Sequence, residues 1–94
     1  MIKLLMGEER LDLENKEAAN LKYFVLEEAK FVEETGENMK TYGILVEKWK
    51  NESIESSFVS DITTEKENIM RITNCLKENK ITPVHLRDII IDMI

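Results

Sequence analysis

From residue 21 to about residue 62, apolar side chains recur at every second position; beyond residue 63 they recur at helical spacing. The densest apolar run is Thr41-Tyr42-Gly43-Ile44-Leu45-Val46-Glu47-Lys48-Trp49, bounded by polar stretches on both sides. It predicts the central strand of a small antiparallel sheet. A strand is expected before it over Leu21–Val32. Leu21, Tyr23, Val25, Ala29 and Phe31 share one face, while Phe24 and Leu26 join Lys22, Glu28 and Lys30 on the other. Glu33 to Asn38 reads as a hairpin loop, with Gly36 the position for a positive φ. Gly43 marks a bulge or a close backbone approach, which fits a helix packing tightly over the sheet. After the turn at Lys50-Asn51-Glu52, Ser53 to Ile62 predicts a third strand, with Ile54, Phe58 and Ile62 on one face and Val59 alone on the other.

Two helices follow. Thr64-Glu65-Lys66-Glu67 has the form of a capping box, in which a hydroxyl and a carboxylate satisfy opposite ends of the first turn. Ile69, Ile72 and Leu76 make its core stripe, flanked by Thr73 and Cys75; Glu67 and Arg71 are spaced for a surface pair. Thr82-Pro83 opens the second helix, with Pro83 at the first helical position. Leu86, Ile89, Ile90 and Met93 form its core stripe, and Val84, Ile91 and Ile94 form a second apolar face. In so short a chain that second face is expected to be covered by another subunit, so a homodimer is predicted. Residues 1–19 read as an arm. Glu8 to Ala19 offers a thin helical stripe, and Met1 to Met6 could instead add to a sheet edge, here or in a partner. The predicted fold class is therefore α+β, a three-stranded antiparallel sheet followed by two C-terminal helices, with an N-terminal arm (1–19) or short helix and one domain over 20–94.

Composition narrows the chemistry. The 94 residues suit one modest core, and a single cysteine makes no intramolecular disulfide. The apolar start gives way to Glu8-Glu9-Arg10 too soon for a signal peptide or a membrane span, so a cytoplasmic location and no membrane contact are expected. The net charge of −6 lies on the tail and the sheet, while residues 63–94 are neutral. Acidity of this kind disfavours direct nucleic-acid binding and steers toward partners with a basic or apolar surface. His85 is the only histidine, which excludes Ser/His/Asp, Cys/His and multi-histidine metal sites. With Asp88 it would serve a small enzyme, yet a surface or capping role explains it better. Cys75, beside a core stripe, reads as a buried, inert thiol. There is no phosphate loop, EF-hand or nucleotide fingerprint, so no cofactor, metal or catalytic residue is expected. The tight link at Lys80-Ile81-Thr82-Pro83 has the outline of a helix-turn-helix, but its second helix offers only His85 and Arg87 to DNA.

Tyr42-Gly43-Ile44, then Asp61-Ile62-Thr63-Thr64, then Ile81-Thr82-Pro83-Val84-His85-Leu86-Arg87-Asp88 together resemble a family of small uncharacterised proteins from clostridia and related Firmicutes. The likeness covers about residues 21–94, with Thr63 where the family commonly has Ser. It implies a bacterial cytoplasmic protein with the same βββαα layout and brings no activity. The expected function is that of a noncatalytic regulatory or adaptor protein that binds another protein through the second helix and the apolar patches of its sheet, such as an accessory factor of a sporulation regulator or a recombinase. Val84, Ile91, Ile94 and Trp49 are the expected contacts, although Trp49 also suits a rim aromatic covering the edge of the core. Direct DNA binding through the two helices is the alternative.

Overall fold

A computed structural model describes residues 1–14 and 17–93. Four strands, β1 (Ile2–Asp12), β2 (Ala18–Val32), β3 (Glu37–Lys50) and β4 (Ser53–Thr63), form an antiparallel sheet in the order β1-β2-β3-β4. Helices α1 (Lys66–Glu78) and α2 (Leu86–Met93) follow, α2 being entered through a 3-10 turn at Pro83–His85. The α+β layout and the C-terminal helix pair agree with expectation; the three-strand count does not. Residues 2–12 are neither arm nor helix but the first strand, paired from Ile2↔Glu27 to Asp12↔Ala18; the sheet-edge alternative for Met1 to Met6 holds within this chain, and the strand runs on past it. The reason lies at Met6, where a bulge between Leu5 and Gly7 shifts the register. The extra residue puts the two halves out of phase, and beyond it Leu11 is the only large apolar side chain, which hides a strand from a period-two reading.

One face of the sheet carries the core. Leu21, Tyr23 and Val25 from β2 and Tyr42, Ile44 and Val46 from β3 pack against Ile69, Ile72 and Leu76 of α1 and Leu86 and Ile90 of α2. Burying side chains of this size stabilises by about 1.5–3 kcal/mol each. Polar groups within the core are satisfied. The Tyr23 hydroxyl donates to the Ile81 carbonyl at 2.9 Å, tying β2 to the link between the helices, and Thr73 donates to the Ile69 carbonyl at 2.7 Å. Burial, reinforced by the Glu9 charge, pushes the Tyr23 phenol well above its ordinary value.

The turns follow the sequence closely. Gly36 has φ 69° in the β2–β3 loop, and Asn51 has φ 54° in the two-residue β3–β4 turn. Helix α1 starts differently from expectation. Its N-cap is Glu65, with no side-chain capping bond. Thr63 takes the work assigned to Thr64, its hydroxyl oxygen accepting from the Glu65 N–H at 3.1 Å and from Asn68 Nδ2 at 3.3 Å. Arg71 donates to Asn68 at 2.7 Å. Cys75 is exposed, contrary to the buried reading, because the buried stripe runs through Thr73 and Leu76.

Gly43 is required by β4, and no helix is involved. Tyr42 pairs with Thr63 and Ile44 with Val59, so three residues of β4 oppose one of β3. A Cβ on Gly43 would run into the Val59 carbonyl oxygen and come within 2.7 Å of the Ser60 Cα. The bulge places Asp61 at φ 54° and turns Ile62 toward the core, away from Ile54 and Phe58.

Candidate functional site

The helices cover one face of the sheet and leave the other open. On that open face the strand register aligns Leu5 with Phe24, Phe24 with Leu45, and Leu45 with Phe58. A single apolar row thus crosses all four strands. Leu5 and Phe58 are about half exposed, at 54% and 52%. On one side of the row the next positions are Glu8, Lys22, Glu47 and Ser56; beyond them lie Trp49 and Ile54, again paired. On the other side Lys3 aligns with Leu26 and Leu26 with Gly43.

Two lysines lie across this surface. Lys3 Nζ sits 4.3 Å from the centre of the Phe24 ring and 3.5 Å from the Glu47 carboxylate. Lys22 Nζ sits 4.4 Å from the Trp49 ring and 3.8 Å from Glu8. Trp49 Nε1 donates to Glu47 at 3.1 Å. Such exposed cation–π contacts contribute about 0.5–1 kcal/mol, little enough for a flexible lysine to leave when something better covers the ring. Beneath Met1 and Lys3 a hollow of about 170 Å³ is floored by Leu26, Leu45 and Phe58.

At the far margin, Asp61 in the β4 bulge accepts from Lys30 at 2.8 Å and from the Thr41 hydroxyl at 2.6 Å. Those two bonds, Lys30 first, hold the Asp61 carboxyl below its ordinary value, and the bond to Asp61 together with its charge raises that of Lys30. They pin the bulge to the β2–β3 hairpin.

The residues expected as contacts are scattered. Val84 and Ile91 are strongly exposed, at 76% and 69%, on the outer side of the helix layer, across the molecule from the open face. Trp49, at 36% exposure, belongs to the open face, on the side of the sheet away from the helices, and is not among the residues packed against the core. Ile94 lies outside the described residues. His85 and Asp88 are exposed, and no hydrogen bond among the described residues joins them. Among the described residues no group of three or more His, Cys, Asp or Glu side chains could hold a metal, and no helix is long and apolar enough to cross a membrane.

Sequence reasoning missed Leu5, Leu45 and Phe58 as one surface. The signal was present in Phe24 and Leu26, which gave β2 a second apolar face, but a row across strands becomes visible only once the registers are known. No curated protein and no solved structure matches the chain. A family model matches residues 2–94, β1 included, and the chain belongs to that family, a family of unknown function (DUF6514).

Proposed function

We propose that this is a noncatalytic regulatory or adaptor protein that works by docking other proteins. The observation that carries the reading is the apolar row Leu5–Phe24–Leu45–Phe58 on a sheet face that neither helix covers, with Leu5 and Phe58 about half exposed at its ends and Phe24 between them screened by the Lys3 side chain. A two-layer α/β fold normally buries its apolar faces, and an uncovered one rimmed by charge is the form of a protein-binding surface. The outer side of α2, with Val84 and Ile91, supplies a second and separate contact. The net charge of −6 favours a partner with a basic surface, as a protein that itself grips DNA would have, and works against direct DNA binding.

The test is photo-crosslinking in the native cell, with the reactive side chain placed at Phe58, at Ile91 and, as an exposed control on α1, at Glu78. Discrete protein adducts at Phe58 and Ile91 but not at Glu78 are expected. Nucleic-acid adducts, or no adduct above the control, would overturn the proposal.

A further inference from the structure

We infer that the open face of the sheet docks on the same face of a second copy, about a twofold axis that runs parallel to the strands between β2 and β3. The inference rests on the protein-binding reading and names the first partner that face takes.

The order of residues across the strands carries it. Rotation about that axis reverses each row, so β1 faces β4 of the second copy and β2 faces its β3. The central row Leu5–Phe24–Leu45–Phe58 then meets its own reverse, and every aromatic ring falls on an aliphatic side chain: Phe24 on Leu45, Phe58 on Leu5. In the row on one side, Leu26, only 3% exposed in the single chain, falls on Gly43 once Met1 and Lys3 beside it are displaced, a large residue over the one without a side chain. In the row on the other side, Lys22 falls on Glu47, twice by symmetry. Size and charge therefore complement in three successive rows. An axis along the rows instead sets Phe24 on Phe24 and Leu5 on Leu5, and loses the Lys22–Glu47 match.

The clasps on the free face are compatible with this exchange. Glu47 is held by Lys3 in the single chain, and the Lys3 stem covers Phe24. Docking moves Lys3 off the ring and gives Glu47 the ammonium group of Lys22 from the second copy. The area lies at the lower end of what a specific interface uses. Four strands about 4.8 Å apart and four rows about 7 Å apart span roughly 500 Å² in plan. Side-chain relief brings that toward the ~800 Å² per partner of a standard interface. Sheets packed this way lie about 10 Å apart with strands within about 30° of parallel. The outer edge of β1 is a weaker candidate for self-pairing, because the bulge between Leu5 and Gly7 interrupts its row of free backbone groups. In the resulting α/β/β/α sandwich the two α2 faces point outward, leaving Val84 and Ile91 of both copies free for the other partner.

Sedimentation equilibrium on the full chain, with native mass spectrometry of mixtures, tests it. The unaltered protein is expected to be a dimer. Lys22→Glu and Glu47→Lys should each weaken it at least tenfold, since each homodimer then sets like charges together. Mixing the two variants should produce a heterodimer within about threefold of the original affinity, because one chain presents only carboxylates at these positions and the other only ammonium groups. Phe58→Asp should give a monomer with unchanged circular dichroism, and Val84→Asp with Ile91→Asp should stay dimeric. A monomeric unaltered protein, a dimer that survives Phe58→Asp, or a mixture without preference for the heterodimer would each overturn the inference. A monomer that still forms protein adducts at Phe58 in the cell would overturn the self-docking alone and leave the protein-binding reading standing.

Discussion

Replacing Gly43 by alanine tests the account of the β4 bulge most sharply. The added methyl would strike the Val59 carbonyl oxygen and stand 2.7 Å from the Ser60 Cα and 3.2 Å from the Val59 carbonyl carbon. Comfortable carbon contacts are about 3.5–4.0 Å, so the β4 backbone must retreat by roughly 1 Å. All three atoms are main chain, so no side chain can swing aside. Val59 is held opposite Ile44, and the bulge is anchored through Asp61 to Thr41 and Lys30. Overpacking of this kind costs about 1–3 kcal/mol, and each ladder hydrogen bond lost in the retreat adds about 1 kcal/mol. The expected loss is therefore about 2–4 kcal/mol, a large share of the roughly 5–14 kcal/mol of stability typical for a domain of this length. At about 4–8 °C per kcal/mol, the melting temperature should fall by roughly 8–32 °C. Urea unfolding followed by Trp49 fluorescence, alongside far-ultraviolet circular dichroism, measures the change. Gly7→Ala is the control, since its methyl would meet only the Lys77 side chain, Cδ at 2.8 Å, which can move away. If Gly43→Ala cost less than about 0.5 kcal/mol, or no more than Gly7→Ala, the close approach of β4 would be refuted.

Tyr23→Phe removes the donor to the Ile81 carbonyl and should cost about 1–2 kcal/mol in urea unfolding. Because the folded phenol titrates above its ordinary value of 10.0, Tyr23 favours folding fully below that pH, and this contribution declines as pH rises beyond it. Tyr23→Phe should flatten that alkaline limb, and an unaltered slope would remove Tyr23 as its source. Asp61 behaves oppositely. Its folded carboxyl titrates below 3.8, so its contribution is present above that pH and is lost as pH falls through the lowered value. Asp61→Asn, which keeps a side chain tolerant of positive φ, should blunt the acid-side loss seen in stability measured against pH. Cys75 should react with a disulfide reagent such as DTNB in native buffer at the rate of a small-peptide thiol; protection until denaturant is added would contradict its exposure.

What the sequence made legible was whatever depends on near neighbours. The positive φ at Gly36, the short turn around Asn51, the α1 stripe of Ile69, Ile72 and Leu76, and the Pro83 start all follow from residues within a turn or two of one another. Apart from Cys75, which lies just off the buried stripe of its own helix, the errors fall where a distant strand decides. Thr64 and Glu67 carry the letters of a capping box, but β4 runs on through Thr63, and the chain leaves the sheet one residue too late for Thr64 to cap. Ile62 has the same parity as Ile54 and Phe58, and only the bulge opposite Gly43 turns it to the core. Gly43 itself was correctly read as a close approach, yet the approaching backbone was assigned to a helix, because nothing in residues 41–49 says what lies beside them.

β1 shows the same limit and why it matters for function. Met6 adds one residue, so apolar positions before and after it belong to opposite phases, and Glu8-Glu9-Arg10 looks like the end of structure when it is the middle of a strand. Without β1 the open face would lack Leu5 and the Lys3 clasp, and Phe24 would stand at an edge with no neighbour on one side. The contacts expected from helical periodicity, Val84 and Ile91, are indeed exposed, because a helix face needs only its own sequence to be recognised. A sheet face is assembled from four segments separated by turns, each contributing one or two side chains to a row. Its chemistry is a property of register, and register in this chain is set by two bulges. A strand interrupted by such a bulge therefore conceals the apolar surface it contributes to, whereas a helix face can be recognised from its own sequence.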